Sequence, residues 1–326
     1  MKRTLLVFSF LLYTCFQLKA QYVTLPDSNL ADYIRNHCPA CLSNNSLDTN
    51  MAKTTTIGMF DIRWQGIKNL YGVQFFTNSF LFRCSENTID SINYLPPNIT
   101  FLDISGCGAK YLKYIPNSVK SLTCYNDSLS SLPSLPPMLV QLVGGNNLLD
   151  SLPPLPQSIR HLSCYGNKLH HLPLLPDSLK EILCYDNPLS GLPVLPQQLR
   201  YLHIARCTLS SLPALPAKLE ELYCYSNNLT SLPALPLSLK TLYCSHNQLT
   251  RLPAVSKNLA ALWCDHNQLT ALPPLPVYMP YLRINSNPIS CLPNKFSAGA
   301  YFMFDSTNIQ CMPNRFTCIG CIPNAN

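Results

Sequence analysis

Apolar residues recur along this chain at a fixed interval of 20 positions, with polar residues at equally fixed places between them. The most regular apolar column consists of Leu122, Leu142, Leu162, Ile182, Leu202, Leu222, Leu242, Leu262 and Leu282. A second column holds asparagine, at Asn147, Asn167, Asn187, Asn227, Asn247, Asn267 and Asn287. Self-similarity at this period predicts a repeat solenoid, in which each repeat, here called a rung, buries its apolar side by stacking on its neighbours.

Each rung is predicted to contain a short strand, a turn and an extended return. In one rung Leu222 and Cys224 alternate with two tyrosines, which is the period of a strand with one buried face and one displayed face. The repeated asparagine, here Asn227, is typical of a ladder in which side-chain amides satisfy backbone groups of the turns. The Leu-Pro-x-Leu-Pro segment that follows excludes a helix or a central strand, because proline fixes φ and lacks an N–H group.

The consensus of one rung, L-x-x-L-x-C-x-x-N-x-L-x-x-L-P-x-L-P, resembles the leucine-rich repeat family. Its return is similar to that of a short bacterial subclass, which occurs in secreted surface proteins and in effectors injected by type III secretion. The resemblance covers residues 59–313, or about 13 rungs. It implies a horseshoe with a parallel β-sheet on the concave side and polyproline II or extended returns on the convex side.

Both ends of the chain depart from the repeat. Residues 1–20 have a basic start, a short apolar run and a final Ala20, which is typical of a cleavable secretory signal peptide. The run is too short for a membrane anchor, so we expect a secreted, cell-surface or periplasmic protein. Residues 21–58 are expected to form an N-terminal cap with a short helix after Asp27, and residues 314–326 a C-terminal cap, because an uncapped solenoid exposes its core.

Composition and charge narrow the possible functions. The chain is 47% hydrophobic and only 12% charged, with 29 prolines, which fits a proline-punctuated solenoid better than a disordered chain. Signal cleavage would remove Lys2, Arg3 and Lys19, so the formal net charge of +7 would fall to +4, a mild value that argues against nucleic-acid binding. No phosphate-binding loop or hydrolase motif occurs, so neither enzymatic activity nor a cofactor is predicted. The ubiquitin-ligase domain of some injected effectors is likewise not expected here.

The cysteines of the strand column are expected to be buried, reduced and inert. Ile104, Ile204 and Ile284 take the same place in other rungs, so the position does not require a thiol. This column consists of Cys84, Cys124, Cys164, Cys184, Cys224, Cys244 and Cys264.

The remaining cysteine pairs are candidates for disulfides. Cys38 and Cys41 form one C-x-x-C motif and Cys318 and Cys321 another, at opposite ends of the chain. Such motifs also occur in redox centres and zinc sites, but in an exported protein structural disulfides are favoured. Cys291 and Cys311 share a position in adjacent rungs and could instead be bonded to each other.

The displayed strand positions carry many aromatic residues. On a solenoid these positions form one surface, and tyrosine with serine and asparagine is the chemistry of a binding surface. The alternative is that the rings only stack across strands and stabilise the sheet. The predicted binding residues are Tyr165, Tyr185, Tyr201, His203, Tyr223, Tyr225, Tyr243, His246, Trp263, Asp265, His266, Tyr281 and Arg283.

These patterns predict a non-enzymatic module that binds a protein or peptide on an aromatic concave sheet. A glycan-binding adhesin is an alternative, because aromatic rings with histidine, asparagine and aspartate also suit sugars. A passive structural protein of the cell envelope is an alternative from a different class.

A row of oxygen-bearing side chains is a candidate metal site. Asp265, Asn285 and Asp305 share one displayed position on consecutive rungs, about 5 Å apart if the strands are neighbours. Oxygen ligands at this spacing suit calcium, although solvated polar residues without an ion are the commoner outcome.

Overall fold

The computed structural model of the chain describes residues 21–293, 297–304, 309–311 and 322–323. The expected signal peptide, Asp305, Cys318 and Cys321, and most of the expected C-terminal cap lie outside these residues. The described part is dominated by one sheet of 14 strands, in which spatial order follows chain order.

The sheet is parallel and keeps the register of the sequence repeat. Its strands are Met59–Asp61, Leu81–Arg83, Phe101–Asp103, Ser121–Thr123, Gln141–Val143, His161–Ser163, Glu181–Leu183, Tyr201–His203, Glu221–Tyr223, Thr241–Tyr243, Ala261–Trp263, Tyr278–Arg283, Ser297–Phe304 and Ile322–Pro323. Leu222 lies opposite Leu202 on one side and Leu242 on the other. Phe60 pairs with Phe82, so this first repeat is two residues longer than the 20-residue repeats that follow. The predicted solenoid is confirmed.

One core runs the length of the solenoid. In a typical rung Leu222, Cys224 and Leu229 are completely buried, and Leu232 of the return retains 9% exposure. The alternation within each strand places the central residue inside and both neighbours on the displayed face. Burial of apolar area on every rung, at roughly 25 cal/mol per Å², is the main source of stability.

The proline-rich returns form the opposite side of the solenoid from the sheet. Residues 211–216 adopt neither helix nor strand, and a turn follows in which Leu219 N–H donates to Pro216 O (3.0 Å). Two early returns, which have Asn93 and Lys113 in place of the first proline, differ: Ser91–Ile92 and Tyr111–Leu112 pair as a two-stranded parallel sheet. These segments retain the N–H groups that proline removes elsewhere, so ladder hydrogen bonds can form.

The repeated asparagines form the predicted ladder. Asn227 Nδ2 donates to Ile204 O (2.9 Å) and Cys224 O (3.0 Å), while its Oδ1 accepts from Leu209 N–H (3.1 Å). Each amide therefore satisfies backbone groups of its own rung and of the preceding one. Because these groups are buried, leaving them unpaired would cost free energy comparable to a lost hydrogen bond.

Two substitutes take the asparagine position in the early rungs. Cys107 Sγ donates to Cys84 O at 3.0 Å. Asp127 Oδ1 accepts from Ala109 N–H (3.0 Å), but its buried Oδ2 has no hydrogen-bond partner among the residues described. Burial raises the pKa of the Asp127 carboxyl to about 7.

The N-terminal cap contains the predicted helix, α1 (Ser28–His37), which begins after Asp27. Asp27 Oδ1 accepts from Leu30 N–H (3.0 Å), and Oδ2 from Lys68 N–H (2.7 Å) in the first rung. Leu30 and Ile34 are completely buried, and the Tyr33 ring lies 5.2 Å from that of Phe60. The helix therefore covers the apolar end of the sheet, as the sequence predicted.

The rest of the cap is a three-stranded sheet and a second helix. The strands are Tyr22–Thr24, Leu42–Ser43 and Ser46–Asp48, and helix α2 is Thr49–Thr54. Single 3-10 turns lie at Pro39–Cys41 and Val73–Phe75. Within the described ranges, neither helix has the length and apolarity that crossing a membrane requires.

The cysteine column is buried as predicted, and two disulfides are present. Cys38 bonds to Cys41, and Cys291 to Cys311 on the next rung. The column thiols are free and buried, and burial raises the pKa of Cys224 to about 12. Its thiolate is therefore negligible at neutral pH, which makes it a packing residue and not a nucleophile.

Candidate functional site

The displayed side of the sheet carries most of its rings in two adjacent columns, and Tyr201 and Tyr281 lie two residues before members of the first column on the same strands. Because strands are in register, residues 20 apart in the chain are neighbours on this surface. We define the aromatic face as Tyr165, Tyr185, Tyr201, His203, Tyr223, Tyr225, Tyr243, Trp263, Tyr281 and Arg283.

Ring contacts are continuous along the first column, from His203 to Arg283. The ring centroids of His203 and Tyr223 are 5.1 Å apart, and Tyr223 meets Tyr243 edge to face at 5.0 Å. Tyr243 and Trp263 stack with centroids 4.0 Å apart and planes 3° apart. The Arg283 guanidinium lies 4.8 Å from the Trp263 ring. The column therefore ends in a cation–π contact.

The second column joins the first at His203. Tyr165 and Tyr185 stack at 4.8 Å, and Tyr185 stacks on His203 at 4.3 Å. Arg206 lies 5.7 Å from the rings of both Tyr185 and Tyr225 and forms an ion pair with Asp186. The guanidinium therefore bridges two rings of this column across the rung that has Ala205 in place of tyrosine.

A groove of about 410 Å³ is bounded by residues of both columns. It is lined by His203, Tyr223, Tyr225, Tyr243, Ser245, His246, Trp263, Asp265 and Arg283. Three of its nitrogens, His203 Nε2, Trp263 Nε1 and Arg283 Nε, are buried and have no hydrogen-bond partner within the described ranges. The groove thus combines ring surface with unpaired polar atoms.

Asp265 is the buried charge beside this groove, with only 1% of its side chain exposed. The Ser245 hydroxyl donates to its Oδ1. Its Oδ2 accepts from Arg283 Nη2 (3.2 Å) and lies 3.1 Å from His266 Nδ1. A carboxylate this buried requires such partners, because an isolated ion would lose its hydration without compensation.

His203 is held neutral within the ring stack. Burial, with the nearby Arg206 charge, lowers the pKa of His203 to about 4, and Asp186 only partly offsets this. A neutral imidazole stacks on the Tyr185 ring without bringing a second cation close to Arg206. Next to it the Tyr223 hydroxyl donates to Glu221 (2.7 Å), and burial raises the pKa of Tyr223.

Comparison with known proteins agrees with this architecture. The leucine-rich repeat family model matches residues 238–259, about one rung. YopM from Yersinia enterocolitica superposes with a TM-score of 0.72 at 29% identity, over 78% of this chain and 57% of YopM. The chain is a leucine-rich repeat protein. The family inferred from the rung consensus is therefore confirmed.

Two further structures share the leucine-rich repeat fold. YopM from Yersinia pestis, a leucine-rich effector protein, gives a TM-score of 0.51 at 29% identity, over 65% of this chain and 73% of that one. The functional domain of InlJ from Listeria monocytogenes, which includes a cysteine ladder, gives 0.52 at 21% identity, over 93% and 63%. The latter agreement concerns the fold alone. No curated protein sequence matches the chain.

The leucine-rich repeats bring most of the predicted residues together, but not all of them. Tyr281 lies at the edge of the face and is 44% exposed. His246 and His266 stack on each other beside the groove. The candidate calcium site of Asp265, Asn285 and Asp305 stays a prediction, since Asp265 already contacts a guanidinium and Asp305 lies outside the described residues.

Sequence reasoning missed the charged residues that hold the rings. Arg206 and Glu221 contact ring residues of the face, and Asp186 pairs with Arg206. Arg206 and Asp186 occupy the left-handed turn position, with φ of 50° and 54°, where the residue type varies between rungs. The sequence did contain a signal for this ion pair. Asp186 and Arg206 occupy the same position in adjacent rungs, so their opposite charges are neighbours in the solenoid.

Proposed function

We propose that this leucine-rich repeat protein is exported and binds a protein or peptide in the groove of its aromatic face, without catalysis. Leucine-rich repeats are typical protein-interaction modules. The observation that carries the proposal is the groove between Tyr225 and Trp263, which offers ring surface beside polar atoms. Peptide carbonyl and carboxylate oxygens are acceptors that could satisfy the unpaired nitrogens of Trp263 and Arg283 after small side-chain movements.

Two disulfides support the exported location. Cys38–Cys41 closes a turn of the cap, and Cys291–Cys311 joins two rungs near the other end. Such bonds persist in oxidising compartments and are rare in the reducing cytosol. Export by the predicted signal peptide at residues 1–20 is part of the same proposal.

The double variant Tyr225→Ala with Trp263→Ala tests the groove. Binding partners are first selected from a displayed peptide library on the wild-type protein, and affinities are measured by calorimetry. Each ring at the centre of an interface contributes about 2 kcal/mol, so the double variant should bind at least about 100-fold more weakly. Trp263 stacks on Tyr243 at 4.0 Å, so binding is measured well below the thermal midpoint of the variant.

The matched control is Trp64→Ala with Tyr111→Ala, which removes the same two residue types elsewhere. These side chains are 66% and 51% exposed. We expect unchanged affinity in the control. Peptides that bind the groove variant as tightly as wild type would disprove the proposed site.

Glycan binding is the second candidate, because the groove sets aromatic rings beside histidine and aspartate side chains, a combination that also suits sugars. A glycan array probed with wild type and Trp263→Ala distinguishes the two ligands. Array signals that disappear in the variant, with no peptide selected, would replace the peptide proposal. If neither a peptide nor a glycan binds, a structural role is favoured.

A further inference from the structure

Two histidines form a stacked pair on neighbouring rungs at the edge of the groove. The ring centroids of His246 and His266 are 4.1 Å apart and the planes differ by 18°. Both rings face solvent, whereas their backbones are fixed: His246 N–H donates to Asp265 O and His266 N–H to Asn285 O, both at 3.0 Å. Two imidazoles are thus held side by side at the spacing of the rungs.

The buried Asp265 carboxylate orients one ring of the pair. Its Oδ2 lies 3.1 Å from His266 Nδ1, and this carboxylate is itself held by Ser245 and Arg283. In the tautomer in which His266 Nδ1 donates to this carboxylate, Nε2 is the ring nitrogen left to bind a metal. A carboxylate behind an imidazole in this way is the arrangement that orients metal-binding histidines.

The spacing of the pair suits one metal ion. The potential ligand atoms of His246, Asp265 and His266 all lie within 4.8 Å of one another. Zinc–nitrogen bonds of about 2.0–2.1 Å place two nitrogens of one tetrahedral ion about 3.3 Å apart. In the stacked pair the in-plane lone pairs run side by side, so both rings must turn about χ1 and χ2 before their nitrogens converge on one ion, and both side chains are exposed enough to do so.

We propose that His246 and His266 together bind a divalent transition metal ion such as Zn²⁺, each through Nε2, with Asp265 as the positioning residue. Imidazole ligands favour zinc, copper and nickel over calcium or magnesium. Two protein ligands leave coordination positions open toward solvent, beside the groove. Metal binding at this site can be tested independently of the proposed function, because the affinity for the ion is measured with the protein alone and no peptide or glycan is needed.

Calorimetric titration of chelator-treated protein with ZnCl₂ tests the site. We expect one ion per chain for the wild type and no detectable binding for His246→Ala or His266→Ala over the same concentration range. Asp265→Asn should weaken binding by about 10-fold, as loss of an orienting partner does. Circular dichroism establishes that each variant is folded. If Asp265→Asn does not fold, His246→Ala still tests the site, because His246 is exposed.

His161→Ala is the matched control. His161 also lies on the displayed face with a carboxylate 2.8 Å away, but its neighbours in the sheet are Gln141 and Glu181 instead of a second histidine. This variant should keep wild-type affinity. Absence of zinc binding by the wild type, or equal affinity in both single histidine variants and wild type, would overturn the proposal. A Co²⁺ spectrum with strong sulfur charge-transfer bands would do so as well, by assigning the ion to thiolates.

Discussion

At the scale of single residues, Asp127 shows what the asparagine ladder requires. Asn147 Oδ1 accepts from Leu129 N–H (2.9 Å), and its Nδ2 donates to Cys124 O (2.7 Å). Asp127 Oδ1 makes the equivalent contact to Ala109, so its unpaired Oδ2 takes the place of the amide nitrogen. Only a protonated carboxyl can donate there. Burial, with the nearby Asp103 charge, raises the pKa of Asp127, and the backbone hydrogen bonds that its carboxyl accepts only partly offset this.

The Asp127→Asn variant should therefore be more stable than wild type, and more so at higher pH. The folded pKa is about 7 and the ordinary value 3.8, so between these values the folded state holds a proton that the unfolded state has lost. Stability then falls as pH rises through this window. We expect a gain of about 1–2 kcal/mol at pH 8 and little at pH 4, measured by urea unfolding. An equal gain at both pH values would contradict the argument.

Residues of the displayed turns show which contacts could be predicted from the sequence and which could not. The ladder asparagines could be predicted, because one hydrogen-bonding task recurs on each rung and selects one residue type. His246, His266 and Arg206 occupy a position that requires only a left-handed backbone, with φ near 50° to 55°. Their side chains are free to vary, so their contacts depend on what the adjacent rung happens to carry. The ion pair of Arg206 was missed for this reason.

At the scale of the element, each rung consists of a strand and a turn, and the asparagine ladder holds the turn in place. The strand and the inward cysteine could be predicted from alternation, since burial on one face determines residue type at every second position. The order of ring contacts on the other face could not, because stacked and edge-to-face geometries have similar energies. Tyr243 stacks flat on Trp263 yet meets Tyr223 on edge.

Removing one ladder amide should destabilise the protein far more than removing its neighbour. Asn227→Ala leaves Ile204 O, Cys224 O and Leu209 N–H without their amide partner. The expected loss is about 2–4 kcal/mol in urea unfolding, because these groups are buried. Asn228→Ala changes an exposed side chain one position away, and should alter stability by less than about 0.5 kcal/mol. Similar losses in the two variants would contradict the assigned role.

At the scale of the whole molecule, contacts are almost all between adjacent rungs. Each rung is bonded to the rungs before and after it, as the sheet order shows. The cap docks on one end only, through Asp27, Leu30, Tyr33 and Ile34. A solenoid of this kind behaves as a row of units coupled to their nearest neighbours, so damage at one end should remain local.

Ile34→Ala tests that locality. Truncating this completely buried side chain should cost about 2–5 kcal/mol at the cap. We expect faster hydrogen exchange of Ile62 N–H, which bonds to Arg83 O beside the cap, and unchanged exchange of Cys224 N–H near the groove. Asn36→Ala, an exposed change on the same helix, is the control. Equal acceleration at both amides would show that the solenoid unfolds as one unit.

The regular step of the sheet has a consequence for any extended chain that lies along the first ring column. Adjacent strands are about 4.8 Å apart, whereas a peptide in the polyproline II conformation advances about 3.1 Å per residue with three residues per turn, so one turn of it spans about two rungs. A guest in this conformation running from Tyr223 toward Arg283 would present every third side chain to the rings. The column would then select ligands by the spacing of the side chains that contact the rings, more than by the identity of those side chains.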